Sequence, residues 1–233
     1  MPYLSVVMPV YNGEQFLETA IDSILLQTFD DFEFIIINDG STDDTHKIIY
    51  SYNDSRIKIF EDTHMGIANA LNKGISVAEG TYIARQDADD ISVLYRFERQ
   101  AAFLRMHPEI KLVGSYVSTI DEKEVKLGNI EFPTKDQDIR LSILDRNTFI
   151  HGSTMFCRKS VEKIGKYNEV FALMQDYDLW LRIVEHYAVA NISEVLYHYR
   201  ISAESISSRN PELREVYLQM AKELALQRRE NNS

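Results

Sequence analysis

The sequence has a single cysteine, Cys157, so no disulfide can form within the chain. A lone thiol suits a reducing compartment, because disulfides form and persist in oxidising ones. Cys157 lies in an apolar run (STMFC, residues 153–157), which predicts burial in a core. No apolar run approaches the roughly 20 residues of a membrane-spanning helix, and the first residues (MPYLS) lack the basic start of a secretion signal. We therefore expect a cytoplasmic protein.

Basic residues are scarce, since 25 Lys and Arg stand against 36 Asp and Glu for a formal net charge of −11. This balance disfavours nucleic acid as a partner, because phosphate contacts need clustered basic side chains. An acidic protein that handles a phosphorylated substrate needs a cation between the two. The hydrophobic share of 45% is enough for a core, and 233 residues suit one α/β domain with a short extension.

Two phosphate-binding motifs are missing as well. The chain has neither the GxGxxG fingerprint nor the GxxxxGK(S/T) loop, which disfavours dinucleotide redox enzymes and P-loop enzymes. A sugar-phosphate nucleotidylyltransferase would carry a glycine-rich loop with Arg and Lys after its first strand. Residues 9–14 (PVYNGE) contain neither basic residue, which counts against that class.

Short apolar runs alternate with helical patterns in the first half of the chain, which predicts βαβ units around a parallel sheet. We expect strands at residues 4–9, 32–37, 57–60 and 81–85, with helices between them. The second strand (FEFIII) is largely apolar, as expected when helices cover both faces of a sheet. Residues 41–44 (STDD) predict a capping box that opens the second helix.

The second half of the chain is less regular. It predicts helices at 95–106 and 177–186, strands at 112–119 and 151–158, and a pair of short strands within 189–200. A polar turn at 121–128 marks the boundary between the two halves of a single domain, residues 1–120 and 121–206. A last amphipathic helix over 211–229, in an extension of residues 207–233, either covers the core or docks on another subunit. Its candidate packing residues are Leu213, Val216, Tyr217, Met220, Leu224 and Leu226.

Polar and acidic side chains follow three of the predicted strands, in the segments PVYN (9–12), NDGS (38–41) and DADD (87–90). Ligands of open parallel sheets bind beyond the carboxyl ends of the strands, so these segments predict a binding site. Asp87 and Asp89 alternate along an extended segment and so point to the same side. Two such carboxylates suit Mg²⁺ or Mn²⁺, which would neutralise a diphosphate leaving group. The alternative is a solvated acidic turn.

Two further aspartates have a functional and a structural interpretation. Asp39 follows a strand and precedes Gly40, so it either hydrogen-bonds a nucleotide or caps the next helix. Asp176 lies where a loop enters a helix, so it is either the base that deprotonates an acceptor hydroxyl or a helix cap. His151 and His198 are candidate metal or phosphate contacts, with a purely structural role as the alternative. Trp180 suits the core.

Five segments, in this order, resemble family 2 of the glycosyltransferases: VMPVYN (7–12), NDGSTD (38–43), GIANALNKG (66–74), GTYIARQDADD (80–90) and QDYDLWLR (175–182). The resemblance extends over about residues 4–206. It implies the GT-A fold of that family, an α/β fold with a Rossmann-like, mixed and mainly parallel sheet flanked by helices. The two halves of the domain would then bind nucleotide-sugar (1–120) and acceptor (121–206).

The resemblance also implies roles for individual residues. Asp89 would hold Mg²⁺ or Mn²⁺ on the diphosphate, and Asp176 would be the catalytic base. Residues implied in nucleotide binding are Pro9, Val10, Tyr11, Asn12, Asp39, Asn72, Arg85, Asp87 and Ala88. Residues implied more weakly, on the acceptor or diphosphate side, are His151, Trp180, Arg182, His198, Arg200 and Ser205. Two positions depart from the family pattern, because Asn38 and Gln175 stand where acidic residues are common.

The implied activity is inverting transfer of a sugar from a nucleotide-sugar, a UDP-sugar by resemblance, to an acceptor hydroxyl. The acceptor would be a glycan or lipid-linked glycan at the inner face of the cell membrane, with peripheral membrane association and surface polysaccharide or glycolipid as the product. Acceptor contacts from another subunit, including a second copy, stay open. The alternative is a non-catalytic nucleotide-sugar-binding or scaffold subunit. A glycosidase would also pair carboxylates, but it has no use for a diphosphate metal site.

Overall fold

A computed structural model describes residues 1–202 and 210–231. The strands of these residues are β1 (Leu4–Val10), β2 (Phe32–Asn38), β3 (Ile57–Glu61), β4 (Tyr82–Arg85), β5 (Ile91–Ser92), β6 (Ile110–Ile120), β7 (Lys126–Ile130), β8 (Met155–Cys157) and β9 (Ala188–Arg200). The helices are α1 (Leu17–Leu25), α2 (Thr45–Ser51), α3 (Ile67–Val77), α4 (Arg96–Met106), α5 (Asp136–Ser142), α6 (Arg158–Lys163), α7 (Gln175–His186) and α8 (Pro211–Asn231). No helix in this described part of the chain is long and apolar enough to cross a membrane.

The strands form one mixed sheet in the order β3-β2-β1-β4-β8-β6-β9-β5, with β7 paired to β6. β1 to β4 are parallel, and Leu4 of β1 lies opposite Phe32 on one side and Tyr82 on the other. The chain leaves β1 towards β3 and then returns to β4 on the opposite side of β1. This reversal of strand order opens a crevice at the carboxyl ends of β1 and β4, where ligands of such sheets bind.

Both faces of the first strands are covered, which confirms the expectation from their apolar sequences. All seven residues of β2 are buried, because alternate side chains point to opposite faces and each face meets helices. Val7, Ile35 and Ile83 pack in a core with α3 and α7. Val6, Phe34 and Ala84 pack on the other face with α1 and α4. The rigid sheet therefore fixes the positions of the residues that follow β1, β2 and β4.

Several predicted elements of the second half are wrong. Residues 188–200 form one strand, and the apparent break is a bulge, because Ile192 and Val195 of β9 pair with the consecutive residues Ser115 and Tyr116 of β6. The predicted strand over 151–158 is mostly a 3₁₀ turn (His151–Ser153) and only three residues of strand. Helix α7 begins at Gln175, before the predicted residue 177. The predicted polar turn of 121–128 also contains the start of β7, and α5 and α6 were not predicted.

The last helix, α8, covers part of the core through small residues. Ala221 and Ala225 are fully buried, and Arg228 pairs with Glu185 of α7 at 2.8 Å. The predicted packing residues Tyr217, Met220 and Leu224 are half-buried against the core. The other three predicted packing residues are exposed, with accessible fractions of 44% for Leu213, 61% for Val216 and 49% for Leu226. The packing stripe is therefore narrower than the sequence indicates.

Two smaller expectations are also wrong. Cys157 is half-buried rather than within the core, because it ends the short strand β8. The segment STDD does not form a capping box, since no side chain caps α2 at its N-cap residue Asp44. Ser41 instead accepts a hydrogen bond from the backbone of Asn12 at 3.0 Å. The loop after β2 therefore contacts the loop after β1.

Candidate active site

The acidic loop after β4, residues 86–90, lies at the centre of the crevice. Arg85, the last residue of β4, is buried, and its guanidinium donates to Asp87 Oδ1 at 2.5 Å. The side chain of Asp87 is 27% exposed and that of Arg85 is 1% exposed. The carboxylate is therefore accessible from the crevice, and the guanidinium lies beneath it. A buried cation therefore neutralises one of the carboxylates in this loop.

Among the residues that the structure describes, no Lys or Arg forms an ion pair with Asp89 or Asp90. Burial, together with the charge of Asp87, raises the pKa of the Asp89 carboxyl to about 6. Burial and the charges of Asp89 and Asp87 raise the pKa of Asp90 well above its usual value. Asp90 Oδ1 accepts the backbone N–H of Arg200 at 2.7 Å. The loop is therefore a constrained cluster of negative charge and not a solvated turn.

A buried polar network that the sequence analysis missed holds the acidic loop from below. The Gln86 side-chain amide donates to the carbonyls of Asp87 and Asp90, each at 2.9 Å. Arg96 of α4 is fully buried and donates to the carbonyl of Arg85 at 2.9 Å, and burial lowers its pKa to about 10. Tyr197 of β9 accepts the N–H of Asp87 at 3.1 Å. These contacts leave the loop backbone little freedom.

Arg200, at the end of β9, contacts the loop from its other side. Its guanidinium has no exposed surface, donates to the carbonyls of Asp89 at 2.7 Å and Asp121 at 3.1 Å, and lies 4.2 Å from the Phe16 ring centroid. The side chain therefore supports the backbone of Asp89 and does not point into the crevice. His198 is half-buried, its Nδ1 bonds Ser118 Oγ, and burial lowers its pKa. Ser205 lies outside the described residues.

The loop after β1 forms one end of the crevice. Pro9 and Val10 are buried within the sheet, whereas the ring of Tyr11 is 46% exposed. Asn12 has a left-handed backbone (φ 51°), and its side-chain oxygen accepts the N–H of Thr42 at 2.8 Å. Ala88 is half-buried and packs against the core under α1. Of this group, Tyr11 is the side chain best placed to contact a ligand.

Asp39 lies next to Tyr11 at the end of β2 and is 4% exposed. Its carboxylate accepts the backbone N–H groups of Met65 at 2.6 Å and Gly66 at 2.9 Å, just before α3 begins. Asp39 therefore does not cap the helix that follows it in sequence, as the structural alternative required. It instead holds the loop after β3, whose His64 ring stacks on Tyr11 with centroids 3.9 Å apart.

Asp176 lies at the other end of the crevice, in the first turn of α7. Burial, and more weakly the charge of Asp87, raises its pKa to about 6, and Asn147 donates to it at 3.3 Å. It is not the helix cap, because the N-cap residue is Met174 in a left-handed conformation (φ 61°). The neighbouring Asp178 pairs with Arg182 at 2.7 Å. Within residues 1–202 and 210–231, Asp176 is thus the carboxylate of this helix end that has no cationic partner.

The remaining candidates hold the segment that follows α6 or pack beneath it. His151 Nε2 lies 2.8 Å from the Tyr167 hydroxyl, and burial lowers the pKa of the imidazole well below its usual value, so the ring is neutral. Trp180 is fully buried beneath His151, with ring centroids 5.9 Å apart, and does not line the crevice. Asn72 holds the backbone of Tyr167 from both sides, accepting its N–H at 3.0 Å and donating to its carbonyl at 2.9 Å. Arg182 donates to the carbonyls of the same loop region, including that of Lys166 at 2.7 Å.

Residues 5–165 match the family model described as glycosyl transferase family 2. The chain belongs to this family. It is 36% identical over 217 residues to the "Putative glycosyltransferase EpsE" of Bacillus subtilis, covering 90% of this chain and 77% of that protein. It is 33% identical over 208 residues to the "O-antigen biosynthesis glycosyltransferase WbnJ" of Escherichia coli, covering 87% and 81%.

Solved structures show that this family 2 glycosyltransferase has the GT-A fold. The chain superposes on S. aureus TarS 1-349 in complex with UDP-GlcNAc with a TM-score of 0.75 and 18% identity, covering 88% of this chain and 60% of that one. It superposes on the mannosyltransferase PcManGT from Pyrobaculum calidifontis, in complex with GDP-Man and Mn²⁺, with a TM-score of 0.66 and 18% identity, covering 97% and 72%. The chain thus spans less than two thirds of TarS 1-349.

The residues present fit a divalent cation bound together with its substrate. In residues 1–202 and 210–231, no three His, Cys, Asp or Glu side chains are grouped as a metal site would require. The glycosyltransferase instead offers the carboxylates of Asp87 and Asp89. Burial and the charge of Asp87 raise the pKa of Asp89, and a bound cation would offset that repulsion. Mg²⁺ and Mn²⁺ accept such sparse sites, because water and substrate phosphates complete their ligands.

Proposed function

We propose that this glycosyltransferase moves a sugar from a UDP-sugar to an acceptor hydroxyl in a single displacement that inverts the anomeric configuration. The observation that carries the proposal is the position of Asp176. This unpaired carboxylate lies close enough to the acidic loop for the charge of Asp87 to raise its pKa. A base and a diphosphate site on two sides of one crevice are what an in-line displacement needs.

In the proposed step, the acceptor hydroxyl oxygen attacks the anomeric carbon and its proton passes to Asp176. The bond between the anomeric carbon and the diphosphate oxygen breaks, and the nucleoside diphosphate leaves with the bonding electrons. A pKa of about 6 leaves Asp176 largely ionised at pH 7, yet more basic than an ordinary aspartate. The Tyr177 N–H and the Asn147 amide hold the carboxylate in place.

Asp89, with Asp87 beside it, is the proposed site of Mg²⁺ or Mn²⁺. When bound, the cation supplies positive charge to the departing diphosphate. Arg200 and Gln86 hold the backbone of the loop, and Arg85 holds the carboxylate of Asp87. The PcManGT complex, which contains Mn²⁺, supports this assignment.

The proposed donor base is uracil, bound at the end of the crevice formed by Tyr11 and Asp39. The TarS complex with UDP-GlcNAc supports a UDP-sugar, whereas the GDP-Man of PcManGT keeps guanine as the second candidate. WbnJ supports a glycan acceptor, with surface polysaccharide as the product. We place the acceptor, as a glycan or lipid-linked glycan, on the side of Asp176, within the acceptor half of residues 121–206.

Replacing Asp176 by Asn tests the proposal. The amide cannot accept the acceptor proton, so transfer from UDP-sugars should fall by about 10²- to 10⁴-fold. UDP binding in the presence of Mn²⁺ should stay within about twofold, because the nucleotide binds at the other end of the crevice. Asp138→Asn, on the exposed surface of α5, is the control and should change neither quantity. Wild-type transfer rates in Asp176→Asn would show that another group is the base.

A further inference from the structure

The rings of Tyr11 and His64 close the base end of the crevice. Tyr11 follows β1, Asp39 follows β2 and His64 lies in the loop after β3, so the three stand side by side at the edge of the sheet. The two rings stack with centroids 3.9 Å apart and planes inclined by 31°. His64 Nδ1 lies 3.2 Å from the carbonyl oxygen of Asp39 and 3.4 Å from its Oδ2. The imidazole therefore contacts both residues to which the base is assigned.

This arrangement leaves no room for a base against the covered face of Tyr11. A planar base between two rings needs about 7 Å, twice the van der Waals contact of about 3.5 Å. The observed separation is 3.9 Å. Asp39 is only 4% exposed, and its two carboxylate oxygens already accept N–H groups of Met65 and Gly66. A base that stacks on this face of Tyr11 and reaches Asp39 must displace His64.

His64 is suited to displacement. Its side chain is 56% exposed, so little apolar contact holds it in place. Its backbone is left-handed (φ 54°), a conformation that costs free energy for a residue other than glycine. The neighbouring Gly40 is packed so closely that an added Cβ would lie 2.8 Å from the backbone nitrogen of His64. Gly40 therefore holds the backbone of the loop in place, and the exposure of the imidazole leaves room for it to rotate outward.

We propose that His64 competes with the donor base for the ring of Tyr11 and thereby sets the affinity of the nucleotide. The inference rests on the proposed nucleotide-sugar donor and adds a residue that the sequence analysis did not select. The affinity of a site that is mostly closed falls by the fraction of molecules in which it is open. The interaction free energy of such a stacked pair, which the base must overcome, corresponds to about a three- to tenfold decrease in nucleotide affinity.

His64→Asn is the most informative variant. Asparagine tolerates a left-handed backbone and keeps a donor for the Asp39 carbonyl, but it has no ring to stack on Tyr11. UDP, titrated with Mn²⁺, should bind about three- to tenfold more tightly than to the wild type. In a Tyr11→Ala background the same substitution should lose most of its effect, because the contested ring is gone and only the contact with Asp39 remains. His46→Asn is the matched control, since His46 is also exposed and stacks on a tyrosine, Tyr50, at 4.4 Å.

Nuclear magnetic resonance separates this inference from the proposed function. The His64 ring signal, assigned by its loss in His64→Asn, should show a ring-current shift in the wild type that disappears in Tyr11→Ala and on addition of UDP. An unshifted signal in the free wild type would overturn the inference whatever the protein binds. Equal or weaker UDP binding by His64→Asn would also overturn it. If no nucleoside diphosphate binds the wild type, the proposed function fails even where the stack is observed.

Discussion

Arg85, Arg96 and Arg200 are among the largest fully buried side chains of the protein. All three surround the acidic loop, and each donates to one of its carbonyls or to the residue before it. Burying a cation is costly unless opposite charge and hydrogen bonds compensate for lost hydration. Asp87 pairs with Arg85 and Glu124 with Arg200, and hydrogen bonds to carbonyl oxygens satisfy Arg96. The loop therefore combines a strong local electrostatic field with a fixed backbone.

Asp176→Asn should also stabilise the fold at high pH. The folded pKa of about 6 lies above the ordinary value of 3.8, so the charged form is disfavoured in the folded state. The charged Asp176 therefore lowers the free energy of unfolding of the wild type. This destabilisation has its full value above pH 6 and is absent below about pH 4. Urea unfolding should show Asp176→Asn more stable than the wild type by about 1–3 kcal/mol at pH 8, and equal to it near pH 4. A lower stability of the variant at pH 8 would contradict the raised pKa.

Sequence patterns select the residues proposed for the chemistry, but not the buried residues that support them. Asp89 and Asp176 stand out because carboxylates follow a strand or precede a helix. Arg96 and Gln100 were not selected from the sequence, because a charged segment such as RFERQ is typical of an exposed helix. Both are buried. Arg96, Gln100 and Leu104 follow one another at intervals of four residues, which places all three on the buried face of α4. This spacing is the sequence signal that indicates their burial.

The element that most directly positions Asp89, the proposed metal ligand, is the end of β9. This strand pairs with β6 along its length and places Arg200 between Asp89 and the turn before β7. The turn is thereby linked to the acidic loop through one guanidinium. The planar guanidinium suits this role, because its several N–H groups donate to more than one carbonyl oxygen at once.

Arg200→Lys should therefore weaken the metal site without removing charge. Lysine cannot reach the carbonyls of Asp89 and Asp121 together, so Mn²⁺ affinity should fall by about tenfold and the free energy of unfolding by about 2–4 kcal/mol. Electron paramagnetic resonance titration and urea unfolding measure the two effects. Arg99→Lys, at an exposed pair with Glu194, is the control and should change stability by less than about 0.5 kcal/mol. Unchanged Mn²⁺ affinity in Arg200→Lys would contradict the positioning role.

Strands and helices were predictable from the sequence where one hydrophobic pattern runs through the whole segment. β1, β2 and most of β4 are buried, so their apolar runs are unambiguous. β9 looked like two strands because its bulge exposes Ser193 and Glu194. Helices α5 and α6 have only seven and six residues, too short for a helical period to emerge. Tertiary pairing, which a local pattern does not contain, decides these cases.

The residues to which we assign the chemistry follow one another along the proposed crevice of the molecule. Tyr11 and Asp39 lie at one end, Asp87 and Asp89 in the middle, and Asp176 beyond them. One sheet connects the proposed nucleotide and acceptor halves, since β4 pairs with β8 and β8 with β6. A donor bound at one end can therefore be aligned with an acceptor at the other without rearrangement of the sheet.

Calorimetric titration of UDP, with Mn²⁺ and with EDTA, tests the central claim most directly, on the wild type and on Asp89→Ala. GDP titrated in parallel tests the choice of base. The account predicts that UDP binds the wild type with Mn²⁺, and that EDTA or Asp89→Ala weakens binding by tenfold or more, about 1.4 kcal/mol. Equal UDP binding in EDTA would contradict the metal site. Absence of binding by every nucleoside diphosphate would contradict the donor site itself and favour a non-catalytic or partner-dependent subunit.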